Sequence, residues 1–129
     1  FAMRLNQLGK YAYVIGESTT PSITENDLFI VISGSGSTEH LRLLVEKAKS
    51  VDAEVVLLST NPSSAIGALA NTVIELPAGT KYDAEGSSQP LGSLFEQAAQ
   101  VFLDSIVLDL MKELKVDEET MQRNHANLE

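Results

Sequence analysis

The sequence predicts an α/β protein, a three-layer αβα sandwich around a parallel sheet of the flavodoxin-like or Rossmann-like kind. Short apolar runs rich in β-branched residues alternate along the chain with longer segments of helical periodicity. This alternation implies right-handed βαβ crossovers and therefore parallel strands. Polar turns follow three of the predicted strands, at the edge where open parallel sheets bind their ligands.

The elements follow one another in a regular order. Strands are predicted for Tyr11–Ile15, Leu28–Ile32, Glu54–Leu58 and Thr72–Leu76. Helices are predicted for Glu39–Ser50, Ser64–Ala70, Pro90–Lys115 and Asp117–Asn124, and residues 78–89 are expected to form a loop. Phe1–Gly9 resembles the second half of an amphipathic helix that ends at a C′ glycine. We therefore expect one domain over residues 1–129 that is incomplete at its N-terminus.

The long helix after Pro90 is apolar on more than one side. Its apolar residues are Leu94, Phe95, Ala98, Val101, Phe102, Ile106, Val107, Leu110, Met111 and Leu114. One stripe is enough to pack on a sheet, so the excess predicts a second buried face and hence a homo-oligomer.

Composition narrows the class of protein. The chain has 129 residues, 43% of them hydrophobic, which is enough for one domain with a core. A net charge of −9 disfavours nucleic acid and anionic membranes as partners. There is no cysteine and there are two histidines, so we expect neither a disulfide nor a metal site. No transmembrane run or signal peptide is evident, and a cytoplasmic protein without a cofactor is expected.

The turn between the strand at Leu28–Ile32 and the next helix predicts an anion site. It contains Ser33, Gly34, Ser35, Gly36, Ser37 and Thr38. Glycines let the backbone turn sharply, and the helix start presents free N–H groups that suit a phosphate without any lysine. It is neither a Walker A loop nor a dinucleotide fingerprint, so a small phosphorylated molecule is the expected ligand. The alternative is an ordinary connection with Thr38 as N-cap.

Two further polar turns, Gly16–Ser18 and Ser59–Asn61, follow predicted strands and are expected to meet the serine-rich turn in one crevice. Glu96, in the first turn of the long helix, is either a base beside that crevice with a pKa tuned by partial burial, or a simple dipole-complementing residue. His125, near the chain end, is either exposed or a proton-transfer group that enters a neighbouring subunit's crevice.

The segment Ile32–Thr38 resembles the phosphosugar-binding turn of sugar isomerase (SIS) domains. The chain is similar to the hexuloisomerase branch of that family at Phe1–Leu5, Val14–Glu17, Gln89–Glu96 and His125–Glu129. Ser37 stands where many relatives carry a glutamate. The family also has a glycine-rich turn ahead of the Phe1–Leu5 segment, whose arginine and serine contribute to the sugar site.

The resemblance implies an isomerase that interconverts D-arabino-3-hexulose 6-phosphate and fructose 6-phosphate, in the ribulose monophosphate route of formaldehyde fixation. It also implies a homotetramer without metal or organic cofactor. Ser33 to Thr38 would hold the phosphate, Glu96 would accept a proton, and His125 would shuttle protons. Three alternatives stay open: a phosphosugar-sensing regulatory module, another phosphosugar aldose–ketose isomerase, and an inactive fragment.

Overall fold

The computed structural model of the protein describes residues 1–79 and 89–128. Its elements are α1 (Ala2–Gln7), β1 (Leu28–Ile32), α2 (Glu39–Lys49), β2 (Glu54–Ser59), β3 (Thr72–Glu75), a 3-10 turn (Pro90–Gly92), α3 (Ser93–Leu114) and α4 (Glu118–Arg123). Most of the predicted residues 78–89 loop lies outside the described residues. The chain divides into two compact units, one made of Phe1–Pro21 and Gln100–Glu129, the other of Ser22–Ala99.

The unit Ser22–Ala99 is built on a parallel sheet with the strand order β1-β2-β3. Leu28 pairs with Glu54, and Val56 pairs with Thr72, so both neighbours of β2 run in its direction. β2 is the central strand and is buried along most of its length, which explains its nearly continuous apolar sequence. The predicted α/β class with a parallel sheet is confirmed.

Helix α2 covers the sheet with one apolar face. Val45 and Ala48 are its buried residues, and they join a core with Val31, Ala53, Val55, Leu57 and Ile66. Each large aliphatic side chain buried there contributes about 1.5–3 kcal/mol to stability. This packing fixes the start of α2 at the carboxyl ends of β1 and β2, the edge at which a ligand site is expected.

Three helices end in the same hydrogen-bonded motif. Gly9, Asp52 and Lys115 have positive φ values of 81°, 61° and 53° and follow α1, α2 and α3. In each case the N–H of this residue donates to the carbonyl three residues back, and the N–H of the next residue donates to the carbonyl five residues before itself. This pattern is a Schellman motif, and it confirms the C′ glycine predicted at Gly9.

The predicted strand at Tyr11–Ile15 is wrong, because the described chain forms no strand there. The N–H and carbonyl of Ala12 bond instead to the side chain of Asn6, at 3.0 and 2.9 Å. The Val14 carbonyl accepts a bond from the Thr20 hydroxyl at 2.7 Å. Side chains therefore satisfy backbone groups that a sheet partner would have taken, and Tyr11 is 92% exposed.

The predicted helix at Ser64–Ala70 is also wrong, since this segment is a series of turns. The Ala68 and Ala70 N–H groups bond four residues back, to the carbonyls of Ser64 and Ile66, but the Leu69 N–H between them bonds three residues back, to Ile66. The helical ladder is therefore interrupted at Leu69. Ile66 is nevertheless fully buried, as an apolar residue of the predicted helix would be.

The other unit contains α1, most of α3 and α4. The Asn124 side chain donates a hydrogen bond of 2.9 Å to the carbonyl of buried Gln7, which ties the end of α4 to α1. The side chain of Asp117, the N-cap of α4, accepts from the Thr120 N–H at 2.8 Å.

Helix α3 has a buried stripe and an exposed apolar one. Phe95, Ala99, Leu103 and Val107 are buried at a spacing of four residues. Val101 and Leu108 are 71% and 59% exposed, and lie roughly opposite that stripe at about 100° per residue. Among the residues described, no helix is long and apolar enough to cross a bilayer.

Candidate functional site

The serine turn, Ser33–Thr38, connects the carboxyl end of β1 to the first residue of α2. Ser33 is buried, and its N–H donates to the Leu58 carbonyl of the neighbouring strand at 2.9 Å. Gly36 has a φ of +61°, which glycine adopts without the penalty that other residues incur. The turn is thus anchored in the sheet at its start and reverses direction at Gly36.

A second loop, formed by Ser59 at the end of β2 and residues 60–67 after it, holds the Gly34 carbonyl. This carbonyl accepts hydrogen bonds from the Thr60 N–H (3.1 Å), the Thr60 hydroxyl (2.9 Å) and the Ser59 hydroxyl (3.0 Å). Ser59 is completely buried, so its bond is protected from competition with water. The predicted meeting of the Ser33–Thr38 and Ser59–Asn61 turns is therefore observed.

Gly36 packs directly against Ser64 of the second loop. A Cβ atom at Gly36 would lie 2.0 Å from the Ser64 Oγ and 2.6 Å from the Ser64 Cβ. The Gly36 carbonyl accepts a bond of 3.0 Å from the Ile66 N–H. Only glycine fits between the two loops at this point, because both the space and the φ value exclude a side chain.

All four carbonyls of Ser33–Gly36 point toward donors of the protein. Ser33 accepts from the Gly36 N–H at 3.1 Å, and Ser35 accepts from the Ser37 hydroxyl at 3.1 Å. The Gly34 and Gly36 carbonyls are taken by the second loop. A carbonyl facing an anion would repel it, and in this turn every carbonyl of these four residues is occupied elsewhere.

Free N–H groups are the counterpart of these occupied carbonyls. In a trans peptide the N–H points opposite to the carbonyl, so the Ser35 N–H points away from the second loop. The N–H groups of Gly34, Ser35 and Thr38 have no acceptor among residues 1–79 and 89–128, nor have those of residues 39–41 in the first turn of α2. The arrangement is a set of backbone donors suited to an anion.

The hydroxyl groups divide into internal and available ones. Ser33 Oγ accepts from the Gly36 N–H at 3.2 Å, and Ser35 Oγ accepts from the Ser37 N–H at 3.3 Å. Thr38 occupies the N-cap position of α2, but its side chain makes no capping bond and is exposed. The N-cap alternative therefore explains the position of Thr38 and leaves its hydroxyl available for a ligand.

Glu39, the acidic residue nearest to these donors in sequence, forms an ion pair with an arginine. Glu39, the first residue of α2, accepts two bonds from Arg42, at 2.6 and 3.0 Å, and Arg42 also pairs with Glu46. The hydrogen bond from Arg42 holds the pKa of Glu39 below its ordinary value. Arg42 therefore offsets one of the two carboxylate charges of Glu39 and Glu46 beside these donors.

Glu96 lies in the first turn of α3, as predicted, within the same compact unit as the serine turn. Its side chain is exposed and makes no hydrogen bond or ion pair with the rest of the described chain. The partial burial expected of a catalytic base is not present in the single chain. The 3-10 turn before α3 contains Leu91 at a φ of +55°, and the helix therefore starts at Ser93 rather than at Pro90.

His125 follows α4 in the other unit and is half-buried. Its ring Nδ1 lies 2.8 Å from the Ala126 carbonyl oxygen, and its backbone N–H donates to the Gln122 carbonyl at 3.2 Å. The ring is thus oriented by its own chain end. Gly16–Ser18 also belongs to this unit and does not follow a strand, so its predicted place at a strand end is wrong.

The sequence pattern marks the turn Ser59–Asn61, but it does not identify Thr60 as the main partner of the Gly34 carbonyl or Ser64 as the neighbour of Gly36. The available signal was the polar run Ser59-Thr60-Asn61-Pro62-Ser63-Ser64 directly after a buried strand. No group of three His, Asp or Glu side chains in the described ranges could hold a metal ion.

Comparison with known proteins places this turn in a family. The model of the SIS domain matches residues 1–103. A protein of Bacillus subtilis named 3-hexulose-6-phosphate isomerase is 46% identical over all of this chain and 71% of its own length. A protein of the same name from Methylomonas aminofaciens is 42% identical over all of this chain and 72% of its own.

A solved structure gives the same result in three dimensions. A hypothetical protein from Methanococcus jannaschii, whose crystal structure was described as inferring the function of a 3-hexulose-6-phosphate isomerase, superposes with a TM-score of 0.88. It is 35% identical, and the match covers 99% of this chain and 69% of that one. The chain belongs to the SIS domain family, within the group that includes relatives named 3-hexulose-6-phosphate isomerase.

Proposed function

We propose that this chain is the isomerase that interconverts D-arabino-3-hexulose 6-phosphate and fructose 6-phosphate in the ribulose monophosphate route. The observation that carries the proposal is the serine turn, in which carbonyls bond inward and free N–H groups remain at the start of α2. Such a set of donors suits a phosphate monoester, and the relatives that match the whole chain are named for a phosphorylated ketohexose.

The reaction moves a carbonyl between C3 and C2 of the sugar. A base removes the proton on C2 of the 3-ketose, and the electrons of that C–H bond form a C2–C3 enediolate. A proton then moves between the two oxygens, and a proton returned to C3 completes fructose 6-phosphate. One carboxylate and one imidazole can perform these steps, with hydrogen-bond donors stabilising the enediolate oxygen.

The phosphate takes no part in the chemistry and serves as a handle. Bonds from the Ser35 and Thr38 N–H groups, together with the Thr38 hydroxyl, would hold it at the start of α2. Holding the phosphate positions C2 and C3 and supplies binding energy that the reacting atoms do not provide. Neutral donors are sufficient, because they add to the positive end of the α2 dipole.

Glu96 is the base in this proposal. It is an exposed carboxylate without a partner in the described chain, so it is available to a ligand. It also lies in the same compact unit as the phosphate donors. Bound substrate would cover this side chain and exclude water from it.

His125 and the assembly of subunits belong to the same proposal. The exposed Val101 and Leu108 give α3 an apolar stripe opposite its buried one, which supports a homo-oligomer and, as the resemblance implies, a tetramer. In that assembly His125 would shuttle protons between the sugar oxygens, in its own or a neighbouring subunit. The expected cytoplasmic location stays a prediction.

The test is turnover of hexulose 6-phosphate by purified protein, followed as fructose 6-phosphate formation, with the variant Glu96→Gln. We expect Glu96→Gln to lower kcat by about 10²–10⁴-fold, the usual contribution of a positioned base, while fructose 6-phosphate still binds. Glu113→Gln, an exposed glutamate of the same helix, is the matched control and should keep full activity.

Three outcomes separate the candidate functions. Turnover that is lost in Glu96→Gln and kept in Glu113→Gln supports the proposal. Tight binding of fructose 6-phosphate by wild-type protein without any turnover favours the sensor module. Full turnover by Glu96→Gln removes Glu96 from the mechanism and leaves the isomerase reaction to another base.

A further inference from the structure

We infer that Thr60 is a positioning residue for phosphate recognition, acting through the Gly34–Ser35 peptide. The inference rests on the proposed binding of a phosphosugar at the serine turn. Thr60 lies 26 residues from Gly34 in sequence, yet its N–H and its hydroxyl both bond to the Gly34 carbonyl. Its hydroxyl makes no other hydrogen bond with the described residues.

The effect follows from the geometry of a single peptide plane. Because the Gly34–Ser35 peptide is trans, the direction of the Gly34 carbonyl fixes the opposite direction of the Ser35 N–H. Glycine at position 34 offers little resistance to rotation of this plane, since it lacks a Cβ atom. The bonds from the second loop therefore hold the peptide in the orientation that presents the Ser35 N–H to the anion. In the reversed orientation the Gly34 carbonyl would face the anion instead.

Ser59 supports the same carbonyl from the other side. Its buried hydroxyl donates to the Gly34 carbonyl at 3.0 Å and accepts from the Asn61 N–H at 3.1 Å. It also lies 3.5 Å from the Asn61 carbonyl, so its proton has a second acceptor. Among the described residues the Thr60 hydroxyl bonds to the Gly34 carbonyl alone. Removing this hydroxyl is therefore the more specific perturbation of the Gly34–Ser35 peptide.

A role in binding differs from a role in stability alone. A hydroxyl that only joins two loops would, when removed, lower the melting temperature and leave KM unchanged. A hydroxyl that orients the Ser35 N–H would raise KM and leave kcat unchanged, because the phosphate is remote from the reacting carbons. The two readings therefore differ in a quantity that can be measured.

The experiment compares Thr60→Val with wild type, using fructose 6-phosphate as the ligand. Valine keeps the shape and the N–H bond and removes only the hydroxyl. We expect the dissociation constant and KM to rise about fivefold, the counterpart of one neutral hydrogen bond, with kcat within about twofold of wild type. Thr60→Ser should restore both constants, and the double variant Ser59→Ala/Thr60→Val should bind more weakly than either single variant.

A spectroscopic reading accompanies the kinetics. The backbone amide resonance of Ser35 should shift when fructose 6-phosphate is added to wild-type protein, and this shift should shrink in Thr60→Val. Thr72→Val is the matched control, because Thr72 is an exposed threonine at the start of β3 that makes no side-chain bond within the described residues. It should leave KM and the Ser35 resonance as in wild type.

The outcomes separate this inference from the proposed function. If the wild-type protein is active and its Thr60→Val variant keeps the wild-type KM and the wild-type shift of the Ser35 resonance, the proposed role of Thr60 is wrong. The proposed isomerase activity is then unaffected. If the wild-type protein binds fructose 6-phosphate without turnover and the Thr60→Val variant binds it more weakly, the positioning role of Thr60 is supported. The proposed isomerase activity is then wrong. Wild-type protein that binds no fructose 6-phosphate overturns both.

Discussion

Replacing Gly36 by alanine tests how closely the serine turn packs against the second loop. The added Cβ would lie 2.0 Å from the Ser64 Oγ, 2.6 Å from the Ser64 Cβ and 3.2 Å from the Ser59 Oγ. Ser64 cannot simply rotate away, because its hydroxyl accepts the Gly67 N–H at 3.1 Å and its Cβ moves only with the backbone. One of the two loops must shift to admit the methyl group.

Two costs add up in Gly36→Ala. A φ of +61° costs an alanine about 1–2 kcal/mol. Overpacking of a well-filled region costs a further ~1–3 kcal/mol. The sum of about 2–5 kcal/mol corresponds to a fall in melting temperature of roughly 8–20 °C, at about 4 °C per kcal/mol for a chain of this size.

The assay is urea or thermal unfolding of four variants, Gly36→Ala, Gly9→Ala, Ser64→Gly and Gly36→Ala/Ser64→Gly. Gly9→Ala is the control for backbone strain, because Gly9 has a φ of +81° and no atom within 4 Å of the added Cβ. It should lose only about 1–2 kcal/mol. The double variant Gly36→Ala/Ser64→Gly should recover part of the steric cost, and the cycle isolates that part as an interaction free energy of about 1–3 kcal/mol.

One result would refute the reasoning. If Gly36→Ala and Gly9→Ala lose the same free energy of unfolding within about 0.5 kcal/mol, and Ser64→Gly restores nothing, then the two loops do not pack as described. The requirement for glycine at position 36 would then come from backbone conformation alone.

Two further predictions concern the helix ends. Asp52→Gly should stabilise the protein by about 0.5 kcal/mol, because it relieves a φ of +61° and removes an anion from the negative end of α2. As a control, Asp104→Gly in the middle of α3 should destabilise the protein by about 1 kcal/mol. Chemical denaturation of both variants measures these changes. Acid should weaken the start of α4, because hydrogen bonds from the Thr120 side chain and N–H hold the pKa of Asp117 below its ordinary value. A lowered folded-state pKa gives stability that is present above the unfolded-state pKa and is lost as pH falls through the folded-state one. Asp117→Asn keeps an acceptor without the titration, so its melting temperature should fall less between pH 5 and about pH 2 than that of wild type; equal slopes would remove Asp117 from the acid response.

Local pattern was sufficient for the elements with strong periodicity. β1 has the predicted bounds, β2 is one residue longer than predicted, and α2 begins at the predicted Glu39. These elements carry a continuous apolar run or a single apolar stripe. The structure buries most of β2 and the Val45 and Ala48 side chains of α2, whereas in β1 only Val31 is buried. The position of the Ser33–Thr38 turn was predictable for the same reason, since its place between a strand and a helix is a local property, and its role as an anion site stays a prediction.

The predictions failed where the backbone found partners far away in the chain or in side chains. The Ser64–Ala70 segment has a helical composition, but its ladder is interrupted at Leu69, whose N–H bonds to Ile66, and its Ile66 N–H is taken by the distant Gly36 carbonyl. Tyr11–Ile15 has the composition of a strand, but Asn6 and Thr20 take its backbone groups. These side-chain bonds join residues only six positions apart, but the apolar pattern of the segment does not reveal them.

The sequence by itself determined the class of the fold and the family, because each depends on residues that are neighbours in the chain. It also marked Ser33–Thr38 as a candidate anion site, which stays a prediction. Only the tertiary structure showed how the turn is held. The Gly34 carbonyl meets hydroxyl groups 25 and 26 residues away, and Gly36 fits against Ser64, because parallel pairing of β1 with β2 brings the loops after both strands to the same edge. The direction of the free N–H groups is a consequence of that pairing, and no local sequence pattern contains it.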